Sequence, residues 1–231
     1  MKVIGMISSG FDSGLTEAAA NSLRKACDKV YILDGGIANA DNLEDEPTNL
    51  AFAVRSDGYH VRHGSIFTDD AAKRTALLKW VQHENDDDCF GIVLDSDEVL
   101  LWGEYMRDFL ALAEKRPATA AGGFPLRLVE FDGSVALAAS RVYKLGAIDH
   151  YDLSSYTVTL AGSSAPITLP NTRVCYMHGM PLRSDDPRCR PPVQGEPHIL
   201  HRTMLRSPGR TTQRQHEAEL SWINARKPAG V

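Results

Sequence analysis

Apolar positions along the chain follow two rhythms. Unbroken runs at Val3 to Ile7, at Val30-Tyr31-Ile32-Leu33 and at Phe90-Gly91-Ile92-Val93-Leu94 suit strands buried on both faces of a sheet. Between them, apolar residues recur every three or four positions. Leu15, Ala18, Ala19, Leu23, Ala26 and Cys27 share one helical face, behind a cap at Asp12 or Ser13 and with Glu17 in the first turn. Leu77, Trp80 and Val81 mark the stripe of a second helix, predicted from an N-cap at Thr68 through His83, with Asp69 and Asp70 at its positive end. Trp102, Tyr105, Met106, Phe109, Leu110 and Ala113 predict a third, stopped by Pro117. Tyr59-His60-Val61-Arg62 reads as a further short strand, and Ile37 to Leu50 as a polar surface loop. Strand, helix, strand at this spacing implies right-handed crossovers and parallel pairing.

Beyond Pro117 the alternation of helix and strand gives way to strands. Phe124 to Phe131 and Ser134 to Tyr143 flank Asp132-Gly133, a strong hairpin signal. Tyr156 to Leu160 and Ile167 to Leu169 flank a Gly-Ser-Ser loop, and Thr172 to Met177 reads as the last strand. Pro181 to Pro197 is rich in proline and arginine and reads as irregular. The expected organisation is one α/β domain over 1–231, a parallel half (1–116) followed by a strand-rich half (117–231).

The chain has 231 residues, 43% of them hydrophobic, enough for one sizeable core. It shows no apolar run of bilayer-spanning length and no signal segment, so a cytoplasmic location is expected. Cys27, Cys89, Cys175 and Cys189 show no dense pairing pattern, so reduced thiols are expected. The net charge of −5 hides an asymmetry: residues 1–170 carry 15 basic and 25 acidic side chains, whereas residues 171–231 carry 10 and 5. Such a chain can set metal ligands against phosphate-binding arginines, or simply end in a solvated basic face.

Chemistry concentrates where the third apolar run ends. Asp95, Asp97 and Glu98 arrive within four positions, at the carboxyl edge of a strand where open α/β sheets bind ligands. Asp95 and Asp97, two apart on a turn, can both reach one hard divalent cation, Mg²⁺ or Mn²⁺, which can in turn hold a diphosphate. Asp34 ends the second strand in Asp34-Gly35-Gly36, and is expected at the same edge on a neighbouring strand. Without a ligand, the same residues read as a polar turn and a helix cap, with Glu98 capping or salt-bridging the helix that follows.

In their order, Asn21-Ser22-Leu23, Ile32-Leu33-Asp34-Gly35-Gly36, Ala72-Lys73-Arg74 and Ile92-Val93-Leu94-Asp95-Ser96-Asp97-Glu98 resemble the nucleotide-sugar-binding half of family-2-type glycosyltransferases with the GT-A fold. The resemblance covers roughly residues 1–115. It departs from the family in lacking the usual first-turn motif, in Gly35-Gly36 for Gly-Ser, and in Ala72-Lys73-Arg74-Thr75 where Ala-Arg-Asn is common.

That resemblance implies a GT-A-like, Rossmann-like mixed sheet, mostly parallel and flanked by helices. It implies a metal-dependent transfer of sugar from a UDP- or GDP-linked donor to an acceptor hydroxyl. Ser8 and Ser9 would face the nucleoside, Asp34 the base or ribose, Asp95 the ribose and, with Asp97, the cation. Lys73 or Arg74 would contact the leaving group, and His178 would add a metal ligand, with His198 and His201 competing for that place. Arg202, Arg206 and Arg210, in a series that runs to Arg214, resemble the basic segment that closes over the diphosphate. An inverting reaction needs a general base, for which Glu130, Asp149 and Asp152 are the candidates. Glycan, protein, lipid and a hydroxylated DNA base all remain open as acceptors.

Two other readings compete. A nucleotidyltransferase uses a similar sheet and acidic pair, but its opening loop carries a basic residue that Ser8-Ser9-Gly10-Phe11-Asp12 lacks. A non-enzymatic zinc module would use Cys175, His178, Cys189 and His198, whose spacings match no common finger.

Overall fold

The three apolar runs become the centre of a parallel sheet. The structure, a computed structural model, describes residues 1–10, 13–37, 57–64, 66–114, 121–129, 135–138, 141–154, 157–169, 171–173, 176–177, 180–181 and 192–202. In chain order the first part runs β1 (Val3–Ser9), α1 (Ser13–Leu23), β2 (Lys29–Asp34), β3 (Tyr59–His63), α2 (Asp70–Glu84), β4 (Phe90–Asp95), β5 (Glu98–Leu101) and α3 (Met106–Ala113). The rest is strand: β6 (Leu126–Val129), β7 (Val135–Ala138), β8 (Val142–Lys144), β9 (Ile148–Ser154), β10 (Thr157–Leu160), β11 (Pro166–Thr168), β12 (Asn171–Arg173), β13 (Tyr176–Met177), β14 (Met180–Pro181) and β15 (His198–His201).

The first sheet has the order β3-β2-β1-β4-β8, parallel throughout except for β8, which runs antiparallel to β4. Its central strands are covered on both faces. Val3, Ile7, Val30, Ile32, Phe90, Ile92 and Leu94 pack on one side with Ala19, Ala20 and Leu23 of α1. Ile4, Met6, Tyr31, Leu33 and Val93 pack on the other with Leu77, Leu78, Trp80 and Val81 of α2. The period of two along each strand divides the apolar residues between these two cores. This is the mixed α/β arrangement expected of a GT-A-like chain.

A second sheet, β12-β7-β6-β15-β5, draws its strands from both ends of the sequence. β15 lies between β5, to which it is antiparallel, and β6, to which it is parallel. A third, β11-β10-β9, is antiparallel, and β9 packs on α2.

Several boundaries differ from the sequence reading. Asp69, not Thr68, caps α2: it is extended, and its Oδ1 accepts from the Ala72 N–H at 2.7 Å. The third helix starts at Met106, after a 3₁₀ turn (Gly103–Tyr105) entered through Trp102, whose φ of 56° is left-handed. The second hairpin arm splits, β7 staying with β6 while β8 crosses to β4. The expected last strand divides into β12 and β13, and β15 follows it. β5 and β9 were also not expected as strands; Glu98 begins β5 where a helix cap had been expected. The Asp132-Gly133 turn and residues 38–50 lie outside the described residues.

β8 is held close by the chain before β6. A Cβ placed on Gly123 would lie 1.8 Å from the Val142 carbonyl oxygen and 2.8 Å from the Tyr143 Cα. Backbone cannot yield as a flexible side chain does, so Gly123→Ala must displace one of the two segments. It is expected to lower unfolding free energy by about 2–3 kcal/mol in urea titrations, the range for overpacking. An unchanged midpoint would show that the two segments are not in this contact.

Candidate active site

The carboxyl ends of β1, β2 and β4 form one edge. In the ladder Ser9 pairs with Asp34 and Ser8 with Asp95, so the two acids stand at the same edge. They are not on adjacent strands, as the sequence reading had it: β1 runs between them. At the usual strand spacing their backbones are about 10 Å apart.

Each of these residues is already engaged. Asp34 is buried, with His63 Nδ1 3.1 Å from its Oδ2; His63 is its ladder partner on β3 and is 57% exposed. Ser8 and Ser9 are buried, and the Ser9 hydroxyl hydrogen-bonds that of Thr16 on α1 at 2.8 Å. Lys73, only 1% exposed, donates from Nζ to the Ser9 carbonyl and, at 2.6 Å, to that of Gly35. The sequence reading offered Lys73 or Arg74 for a leaving-group contact; the Lys73 ammonium ties the ends of β1 and β2 to α2.

Arg74, the next residue, reaches β4. Its Nε donates to Asp70 Oδ2 at 2.7 Å and its Nη2 to Asp95 Oδ1. Arg141, at the entrance to β8, donates from Nη2 to Asp95 Oδ2 at 3.0 Å and to Glu98 Oε1 at 2.7 Å. Glu98 Oε2 accepts the Asp95 N–H at 2.9 Å and so closes the turn between β4 and β5. The pairing overcomes the burial that would discharge Arg74: Asp95 and Asp70 hold its pKa well above the ordinary value. Glu98, fully buried, goes the other way. Desolvation, with the charge of Asp95 adding to it, raises its pKa from the ordinary 4.5 to about 7 against the pull of Arg141.

Asp97 faces a different partner. It is 1% exposed, and its Oδ2 lies 3.1 Å from His201 Nε2, brought there by the pairing of β15 with β5. The next residue, Arg202, donates to the carbonyls of Leu15 at 3.2 Å, Asp97 at 3.4 Å and Ser96 at 3.5 Å. The pair expected to share a cation therefore divides, both Asp95 oxygens meeting guanidinium groups while Asp97 meets an imidazole. Among the described residues, no three His, Cys, Asp or Glu side chains group so as to hold a metal.

Of the base candidates, Asp149 pairs with Lys79 at 2.6 Å and with His150 at 2.9 Å. Asp152 lies 3.3 Å from His150 Nε2 and accepts from the Thr159 hydroxyl at 3.0 Å. They sit on β9 and are not joined to the strand-end acids. His198 is on β15, its Nδ1 2.8 Å from the Glu196 carbonyl. Glu130, Cys175, His178, Cys189, Arg206, Arg210 and Arg214 lie outside the described residues.

Arg141 and His63 were not singled out from the sequence, and Glu98 was read as capping or salt-bridging the helix after it. His63 carried a usable signal, because it directly follows a predicted strand, next to Gly64, at the same edge as Asp34. Arg141 had none, since its two acceptors lie more than forty positions earlier.

No family model matches the chain, and no curated protein matches it by sequence. Among solved structures it is similar to TarS of S. aureus, with a TM-score of 0.41 and 15% identity over 64% of this chain and 29% of that one. A crystal structure of TarS 1–349 gives 0.41 and 14%, over 64% of this chain and 48% of that one. The chain thus spans less than half the length of these solved chains. The strand order, not this overlap, carries the description of the fold.

The raised Glu98 pKa has a consequence for stability. The native protein keeps the Glu98 proton up to about pH 7, whereas the unfolded chain releases it near the ordinary 4.5. The native state thus binds more protons between those values, and this group makes stability fall as pH rises through that window. Glu98→Gln removes the titration. In urea unfolding with chelator present, the stability of Glu98→Gln relative to wild type is expected to rise from pH 4.5 to 7 and then level. A difference that stays flat with pH would show that Glu98 is not the proton-holding group.

Proposed function

We propose that this chain is a glycosyltransferase that moves a sugar from a nucleoside-diphosphate donor to an acceptor hydroxyl with a divalent cation bound. The observation that carries the reading is the edge itself: Asp34 beside Ser9 and Asp95 beside Ser8 across three parallel strands, with Asp97 at the turn that follows and His201 against it. A crevice at the carboxyl ends of such strands is where open α/β sheets take nucleotides.

The donor set fits a hard cation at Asp97 rather than at Asp95. Oxygen and imidazole ligands of one Mg²⁺ or Mn²⁺, each about 2.1 Å from the ion, sit about 3 Å apart when adjacent. Asp97 Oδ2 and His201 Nε2 are 3.1 Å apart. They would hold the cation, with the diphosphate and water completing its shell, and His201 would take the part first considered for His178. When bound, the cation supplies Lewis-acid stabilisation to the departing diphosphate.

The chain's own residues do the rest. An ionised Asp34 accepts hydrogen bonds and does not donate, so it would receive an N–H of the base or a ribose hydroxyl. Asp95, oriented by two guanidinium groups, would receive ribose hydroxyls. Arg202 stands at the root of the basic segment, from which Arg206 and Arg210 would approach the diphosphate. Glu130, Asp149 and Asp152 remain the candidates for deprotonating the acceptor if the reaction inverts.

The test is donor turnover. A panel of UDP- and GDP-sugars is incubated with wild type in Mn²⁺ and in chelator, and release of nucleoside diphosphate is measured. Wild type is expected to turn over one donor class in Mn²⁺ and to stop in chelator. Asp97→Asn and His201→Ala are each expected to lose about tenfold or more, the scale for losing one charged or coordinating contact. Full turnover in chelator, or both variants matching wild type, would overturn the metal assignment; no turnover or binding of any donor would overturn the function.

A further inference from the structure

Arg141 is placed by its backbone as firmly as by its side chain. Its carbonyl accepts the Val93 N–H at 2.9 Å, two residues before Asp95, and Val142 follows directly into the ladder with β4. Arg141 is 3% exposed, and its guanidinium binds Asp95 Oδ2 and Glu98 Oε1 from the same nitrogen. Glu98 in turn fixes the Asp95 main chain through its N–H. Arg141 therefore grips both ends of the turn Asp95-Ser96-Asp97-Glu98, joining Arg74 on Asp95.

We propose that Arg141 is a positioning residue for the donor nucleotide. It holds the Asp95 carboxylate in the geometry that receives the donor. The inference rests on the proposed glycosyltransferase reading. Arg141 acts through Asp95 and not on the ligand, because its bonds run into the protein. Arginine is suited to the task because a planar guanidinium can lie between two carboxylates in fixed directions. A lysine ammonium is a single point on a flexible stem.

The experiment is a double-mutant cycle on nucleotide affinity with intact full-length chain. UDP and GDP, each with Mn²⁺, are titrated into wild type, Arg141→Gln, Arg141→Lys, Asp95→Asn and the Asp95→Asn/Arg141→Gln pair, with unfolding midpoints measured alongside. Arg141→Gln is expected to weaken the better-bound nucleotide about tenfold, and Arg141→Lys to recover only part of that loss. In the Asp95→Asn background, the Arg141 change is expected to add less than about twofold, because its effect passes through Asp95. Losses that add in full, or wild-type affinity in both folded Arg141 variants, would overturn the proposal. Where Arg141→Gln fails to fold, Arg141→Lys alone and in the Asp95→Asn background carries the same comparison. Wild type that binds neither nucleotide overturns the glycosyltransferase reading itself, an outcome distinct from binding that ignores Arg141.

Discussion

The arrangement depends on charge buried at the ends of strands. Taking a carboxylate out of water costs several kcal/mol unless the lost hydration is replaced, and here two buried arginines replace it. Asp95 is held by Arg74 and Arg141, and Glu98 by Arg141. Removing either arginine would leave a carboxylate short of compensation, which for a buried pair is typically worth about 3–5 kcal/mol. The network therefore contributes placement more than net stability. It joins α2, β4, β5 and β8 at one point, and the residue of α2 before Arg74 reaches the ends of β1 and β2. Lys73 and Arg74, about 100° apart around the helix axis, face different strands, so one turn of helix sets the positions of the β1, β2 and β4 ends together.

How much of this the sequence disclosed follows from how local each signal is. β1, β2 and β4 are buried on both faces, so their apolar runs are unbroken and easily read. The acids that follow them mark the edge directly. α2 was legible from Leu77, Trp80 and Val81, and only its cap moved, because Asp69 lies one residue nearer the helix and offers a charged acceptor where Thr68 offers a hydroxyl. The order of these pieces, more than any one motif, supported the resemblance on which the site was first drawn.

The parts that were missed are those whose reason lies elsewhere in the chain. β5 and β15 are four residues each and pair with one another across about a hundred positions. Neither has a turn beside it that names its partner, and Glu98-Val99-Leu100-Leu101 reads equally well as the approach to a helix. β9 alternates Ile148, His150 and Asp152 against Asp149 and Tyr151, and its acids drew attention as chemistry before their spacing drew attention as a strand. Lys73 and Arg74 look like exposed residues at a helix start. They are buried because carbonyls and carboxylates from β1, β2 and β4 surround them, and nothing near them in sequence says so.

The same environment separates the roles of the two acids that the sequence had joined. A dication held about 5 Å from one guanidinium is repelled by about 7 kcal/mol at an effective dielectric of 20, before hydration and ligands respond. Beside Asp95 it would meet two such groups bonded to the carboxylate itself. Beside Asp97 it would meet an imidazole that ligates when neutral and one guanidinium, that of Arg202, which is bonded to backbone carbonyls. Under the proposed reading, electrostatics would place the cation at Asp97 and leave Asp95 as a fixed acceptor for neutral hydroxyls. On that reading a single Asp-Ser-Asp turn would serve both ends of a donor, because the strands around it give its two carboxylates different surroundings.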